Sequence, residues 1–335
     1  MSFSLLTNGR VITDFVRNSL VAGAILLSTI TTSFAIEGGT QTYLLGVRDS
    51  FAGIVPGPGV YFNNDLVFYT GAVPELVIGG VGVVEPDVGV FLWRPNVTFV
   101  YEATLWGGTP ALSVSLPVVA ASMDAEGVVG GFTGSFTDKT SGVGDLSITT
   151  ILGWHNGKIH TSVSVSFYLP LGKYEPASVD IGAKTASVLN LGKNRFAVDP
   201  TVSVTYFDPD SGFEISGSLG VTVSAKNSAT QYQTAPEFHL EAATMFHLAH
   251  GIAIGLTGYA YKQFSEDSGP GADQIKDALD LASLKAEAYG LGPVVTYSTK
   301  IGNQPINIKA KYIKEFSVKR AFEVDKFWLT FGFVF

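Results

Sequence analysis

The sequence predicts an all-β fold: a single up-and-down antiparallel transmembrane β-barrel of about twelve strands, carried behind a cleavable N-terminal signal peptide. Three observations point there. The chain is apolar, with 46% hydrophobic and 15% charged residues and a mean hydropathy of +0.29. Yet beyond the N-terminus it has no apolar run of roughly 18 residues, the length a transmembrane helix needs. Its apolar residues instead recur at every second position, and the connections between alternating segments are short and long in turn.

The first 35 residues read as an export signal. Arg10 and Arg17 form a basic region, and Leu20 to Ile30 form an apolar core too short to cross a bilayer. Ser33-Phe34-Ala35 supplies small residues at the cleavage positions. A soluble N-terminal helix is the competing reading. The organisation is then 1–35 signal peptide, 36–57 an irregular Gly-rich segment and 58–335 the barrel. The segment 36–57 either plugs the lumen or extends into the periplasm.

Strands are expected near 58–70, 89–103, 110–119, 143–154, 158–169, 195–206, 212–225, 236–248, 251–264, 286–299, 304–316 and 325–335. Alternation is clearest in the last, where Phe327, Leu329, Phe331, Phe333 and Phe335 share one face. Phe213, Ile215, Leu219, Val221 and Val223 alternate with Glu214, Ser216, Ser218, Thr222 and Ser224. Thr161, Val163, Val165, Phe167 and Leu169 alternate with His160, Ser162, Ser164 and Ser166. One wet face is implied. A packed sandwich would give the same alternation.

Loop lengths separate the two. Short connections fall at 104–109, 155–157, 207–211, 249–250 and 300–303, with Asn156-Gly157 a tight-hairpin signal and Asp208-Pro209-Asp210 a turn. Long ones fall at 71–88, 120–142, 170–194, 226–235, 265–285 and 317–324. Outer-membrane barrels pair short periplasmic turns with long extracellular loops. Trp154, Tyr168, Tyr206, Tyr261, Tyr297 and Trp328 lie near strand ends, as interfacial girdles would. Residues 271–287 have helical spacing and form either a lid or a loop packed on the rim.

A net charge of −8 argues against a nucleic-acid partner, which requires a basic face. The absence of cysteine removes disulfides, thiolate metal sites and thiol catalysis. No cofactor and no metal are expected.

Several short motifs resemble one family. They are Asn190-Leu191-Gly192-Lys193-Asn194, Asp199-Pro200-Thr201 and Thr205-Tyr206-Phe207-Asp208-Pro209. Further matches are Gly142-Val143-Gly144-Asp145-Leu146, Leu169-Pro170-Leu171-Gly172-Lys173-Tyr174 and Gly258-Tyr259-Ala260-Tyr261-Lys262-Gln263. Asp267-Ser268-Gly269, Gly290-Leu291-Gly292-Pro293, Lys314-Glu315-Phe316 with Arg320, and Gly59-Val60-Tyr61 complete the set. Their order is similar to that of the outer-membrane proteins named for the meta-pathway of phenol degradation. The resemblance covers nearly all of 40–335 and implies an outer-membrane barrel that passes hydrophobic, often aromatic, compounds. The stretch 271–287 is longer and more helical than is usual there.

If the apolar residues face lipid, the polar ones face the lumen. The inward set is Asp65, Arg94, Glu102, Asp145, Glu214, His239, Glu241, Lys309, Lys311 and Glu315, with Asn96, Thr98 and Asn307 on the same faces. A Lys or Arg facing lipid at mid-membrane would cost about 2–4 kcal/mol. These groups are either a selectivity lining or a bracing network of opposite charges. Lys314 falls outward, where its stem can snorkel. Pro95 removes a ladder donor and predicts a bulge. No nucleophile–His motif stands out among the five histidines, and His239 with Glu241 is a weak metal pattern.

Four functions compete: passive uptake of small hydrophobic or aromatic compounds, a channel for hydrophilic solutes, a structural barrel, and an outer-membrane hydrolase. The expected partners are outer-membrane lipid and a small apolar or aromatic solute. The expected location is the bacterial outer membrane, reached through the periplasm.

Overall fold

The computed structural model describes residues 41–335, apart from 73–74, 79–80, 130–131, 176–177, 181–184, 188 and 279–280. The predicted signal peptide and its cleavage point lie outside the described residues. Twelve strands form a closed antiparallel barrel. They are β1 Gly59–Ala72, β2 Val81–Val100, β3 Thr109–Ser115 resuming as Val118–Val129, and β4 Phe132–Val143 resuming as Leu146–Asn156. β5 Ile159–Leu169, β6 Ala197–Asp208, β7 Phe213–Ser224 and β8 Glu237–His247 follow. β9 Ile252–Gln263, β10 Glu287–Ile301, β11 Gln304–Lys319 and β12 Glu323–Val334 complete the wall. β1 pairs with β12 from Tyr61↔Val334 to Ala72↔Glu323, which removes both sheet edges. The order and number of strands agree with the alternation pattern.

Burial is inverted relative to a soluble protein. Val202, Val204, Ile215, Leu219, Leu240, Ile254 and Leu256 are exposed on the outside, while Ser203, Thr205, Ser216, Ser218, Glu214 and Glu241 are buried inside. Inward hydroxyls bond across strands, Ser203 to Ser218 and Thr205 to Ser216, each at 2.8 Å. This arrangement suits lipid outside and a polar lumen. The connections 157–158, 209–212, 248–251 and 302–303 are short and share one end of the barrel, the periplasmic end by the usual rule. Gly157 takes φ +59° in the Asn156-Gly157 hairpin, where a Cβ would be strained.

The long connections differ from expectation in two places. Residues 71–88 and 120–142 are largely strand rather than loop: Glu75–Ile78 pairs with Val81–Val84, and Val118–Val129 pairs with Phe132–Val143. Val-rich segments satisfy their backbone groups by pairing with each other, so the hairpins project beyond the membrane band. The helix α1 spans Pro270–Ala278 and stops short of the predicted 287. Beyond it the Leu281 amide returns to the Lys276 carbonyl, and Leu284 joins Tyr232, Ala272 and Ile275 in a small buried cluster.

That extracellular cluster is pinned by Asp267. Its carboxylate accepts from the Tyr232 hydroxyl (2.5 Å), the Ala235 amide (2.7 Å) and the Gln263 side chain (2.8 Å). Burial nevertheless pushes its pKa up to about 7. A raised acid binds its proton more tightly folded than unfolded, so its contribution is fully present below the usual Asp value and is lost as pH climbs through 7. Amide exchange at Ala235, corrected for intrinsic rates, should therefore quicken between pH 5 and 8, and Asp267→Asn should flatten that dependence.

Candidate functional site

The inward carboxylates of the lower lumen have no cations of their own beside them in sequence, yet they are fully buried. The segment 41–57 supplies their partners. It runs down through the lumen and continues into β1. Glu241 accepts the amides of Gly46 and Arg48, both at 2.5 Å. Glu214 accepts the Phe51 amide (2.6 Å), the Ser50 hydroxyl (2.9 Å) and His247 Nε2 (2.6 Å). Thr205 Oγ1 accepts the Gly53 amide at 3.0 Å, and a Cβ on Gly53 would come within 2.6 Å of the Thr205 nitrogen. The Arg48 guanidinium donates to Ser164 (2.7 Å) and Ser203 (3.3 Å). Asp49 pairs with Lys309 Nζ (2.5 Å) and Lys311 Nζ (2.6 Å), and Lys311 also lies 4.1 Å over the Trp328 ring. Phe51, at φ 60°, packs on Phe207 and His247. Residues 41–57 of the predicted 36–57 segment thus lie within the lumen, and 36–40 fall outside the described residues.

Other inward residues brace the wall. Asp65 is buried and accepts from Arg94 Nε (2.9 Å) and Nη2 (2.5 Å), Trp328 Nε1 (3.0 Å) and Thr330 Oγ1 (2.7 Å). Glu315 takes the Tyr259 hydroxyl (2.5 Å), Lys326 (3.0 Å) and the Val324 amide (3.0 Å). His239 bonds Asp199 at 2.8 Å and stacks on Tyr43 at 3.7 Å. The His239–Glu241 pair is thus committed elsewhere, and no group of three potential metal ligands occurs among the described residues. Glu102, expected on the inward face, is exposed in the turn after Val100, where β2 has ended. Trp328, Tyr261 and Tyr168 also depart from the girdle reading. Trp328 and Tyr261 are buried inside and Tyr168 lines an internal cavity, whereas Tyr206 and Tyr297 are exposed. Lys314 is exposed and lies 3.5 Å from Asp325.

The wall is broken at one level. Pairing stops between Trp93↔Val118 and Asn96↔Ser115, leaving Arg94-Pro95 opposite Leu116-Pro117. β4 breaks beside it between Val143 and Leu146, and β5 ends at Leu169 before Pro170. Proline lacks the ladder donor, so prolines at successive levels of the two strands, Pro117 opposite Arg94 and Pro95 opposite Leu116, interrupt the sheet. Residues 172–173 and 191–193 of the following connection pack into this seam. Asp145 accepts the amides of Gly172 (2.9 Å) and Lys193 (2.7 Å), and a Cβ on Gly172 would meet Gly144 and Gly192 backbone at 2.7 Å. Three motifs far apart in sequence therefore meet here.

Above the plug lies a cavity of about 270 Å³. Val88, Val90, Leu92, Val119 and Ala121 form its wall, Leu44, Leu45 and Val47 its plug side, and Leu189, Leu191 and Phe322 lie around it. Arg94, Tyr69, Tyr168, Asp145 and Lys326 supply its polar rim. This lining escaped the alternation argument because β2 is apolar on both faces from Val88 to Trp93. That unbroken run was the available signal. Arg48 and Asp49 escaped because a segment without periodicity has no phase, whereas Lys326 and Asp199 share the inward phase of Trp328 and Thr201 and are legible from it.

The chain matches, along residues 68–331, the model of a family described as "Putative MetA-pathway of phenol degradation". No curated protein matches significantly. Among solved structures it is similar to an outer membrane channel from Pseudomonas putida F1, with a TM-score of 0.64 and 15% identity over 88% of this chain and 100% of that one. It is more distantly similar to the translocator domain of an autotransporter from Neisseria meningitidis, with a TM-score of 0.43 and 12% identity over 85% of this chain and 92% of that one. At such identities the likeness speaks to the barrel fold alone.

Removing the plug's acid tests its anchoring. Asp49→Ala strands two lysines in the lumen and should cost about 3–5 kcal/mol in urea unfolding. Replacing Lys309 and Lys311 by methionine in the same variant should recover most of the loss.

Proposed function

Because this chain belongs to the MetA-pathway of phenol degradation family and is a bacterial outer-membrane barrel rather than an enzyme, we propose that it is a channel for passive uptake of small hydrophobic or aromatic compounds. One observation carries this reading. The inward face of the wall is Ser and Thr through most of the barrel, but Val and Leu around the outer cavity. A single ring with about 150 Å² of apolar surface would gain about 4 kcal/mol on entering, before the cost of association. Binding of millimolar strength is then the upper bound, which permits ready release.

The plug argues against a hydrophilic pore, since it crosses the lumen below the cavity and is tied to six strands by charge and hydrogen bonds. The broken seam offers the solute another exit. Arg94, Pro117, Asp145 and Leu191 line the cavity, and the same residues flank the seam. A solute leaving there reaches the lipid without displacing the plug.

The absence of native cysteine makes a clean lock available. Ala52 and Ser162 touch, the Ser162 hydroxyl donating to the Ala52 carbonyl at 3.4 Å. In liposomes, the oxidised Ala52→Cys/Ser162→Cys variant should take up toluene as fast as its reduced form. Arrest on oxidation would instead make plug movement the route. Leu92→Asp should slow uptake several-fold in a folded barrel, and uptake no faster than in protein-free liposomes would sink the channel reading. Planar bilayers should show little ionic conductance.

A further inference from the structure

The cavity's polar rim is asymmetric in a way that apolar uptake alone does not require. Its carboxylates are spent: Asp145 holds two backbone amides, and Glu315 holds Tyr259, Lys326 and the Val324 amide. Its donors are not. Arg94 uses Nε and Nη2 on Asp65, which leaves Nη1, and its side chain keeps 20% exposure. The hydroxyls of Tyr69 and Tyr168 line the same cavity and have no hydrogen-bond partner among the described residues. Neither hydroxyl is fully buried as the Tyr43 hydroxyl is. An apolar chamber with unused donors matches a solute that has an apolar body and an oxygen acceptor.

Charge fixes the kind of acceptor. Arg94 is already neutralised by Asp65 at 2.5 Å and Lys326 by Glu315 at 3.0 Å, and Lys193, the third cation of the lining, lies in the field of Glu237. A carboxylate entering the chamber would bring an uncompensated charge into an apolar site, at a cost. A carbonyl or phenolic oxygen brings none. Resting on the uptake function, we propose that the cavity selects uncharged aromatic solutes bearing one acceptor oxygen, with Arg94, Tyr69 and Tyr168 as its specificity-determining donors.

The test is equilibrium binding to the full-length protein in detergent, with three probes of similar size: acetophenone, ethylbenzene and benzoate. Acetophenone should bind about tenfold more tightly than ethylbenzene, the usual worth of a hydrogen bond to a charged or well-placed donor. Benzoate should bind most weakly. The Tyr69→Phe/Tyr168→Phe variant keeps both rings and Arg94→Lys keeps a cation beside Asp65, so each guards against simple misfolding. Together they should erase the preference, bringing acetophenone down to the affinity of ethylbenzene in the same variant. Equal binding of acetophenone and ethylbenzene, or a preference that survives these variants, overturns the donor role while leaving apolar uptake standing. Tightest binding by benzoate overturns the selection for neutral solutes. Failure of ethylbenzene both to bind and to cross liposomes counts against the uptake function itself.

Discussion

A charge inside a narrow barrel is exposed to neither bulk water nor lipid, so it persists only beside a partner. That constraint organises this molecule. Glu214, Glu241, Lys309 and Lys311 project into the lumen because they cannot face hydrocarbon. Once inside, they need more partners than the wall supplies, and residues 46–53 add main-chain amides and one aspartate. The plug is therefore the counterpart of the wall's charge pattern. The lower lumen is a bracing network, and the upper lumen holds the apolar cavity.

The barrel was legible in the sequence because period-two alternation and loop length are local properties. Twelve strands, their order and the inward phase of Asp65, Glu214, Glu241 and Lys311 follow from which residues can meet lipid. Errors arose where local rules have competitors. Glu102 continues the phase of β2, but the strand ends two residues earlier, and phase has no meaning past an end. Trp328 and Tyr261 have girdle chemistry, yet each finds a lumenal carboxylate, Asp65 or Glu237, that satisfies its donor. Segments 71–88 and 120–142 look like loops because they follow strands of full membrane length. Nothing in a period-two pattern says where the membrane stops.

The short Gly-containing motifs recognised in the sequence acquire a common cause. Gly144-Asp145, Gly172-Lys173 and Gly192-Lys193 are separated by tens of residues but share one seam, where backbone meets backbone and one carboxylate caps two amides. Only glycine permits that approach. A motif that looks like a loop signature is the imprint of a break in the wall, placed at the height of the apolar chamber.

The plug's attachment has a consequence for how this chain can diverge. Gly46, Arg48, Phe51 and Gly53 offer the wall their amides, which every residue but proline possesses. Apart from Asp49 and Ser50, the side chains between these positions make no bond to the wall and can drift without loosening the anchor, while the acceptors on the strands cannot. The family match begins at residue 68, after the plug has ended. An element recognised by its main chain leaves little trace in sequence comparison, so related barrels can harbour an equivalent plug in stretches that no longer look alike.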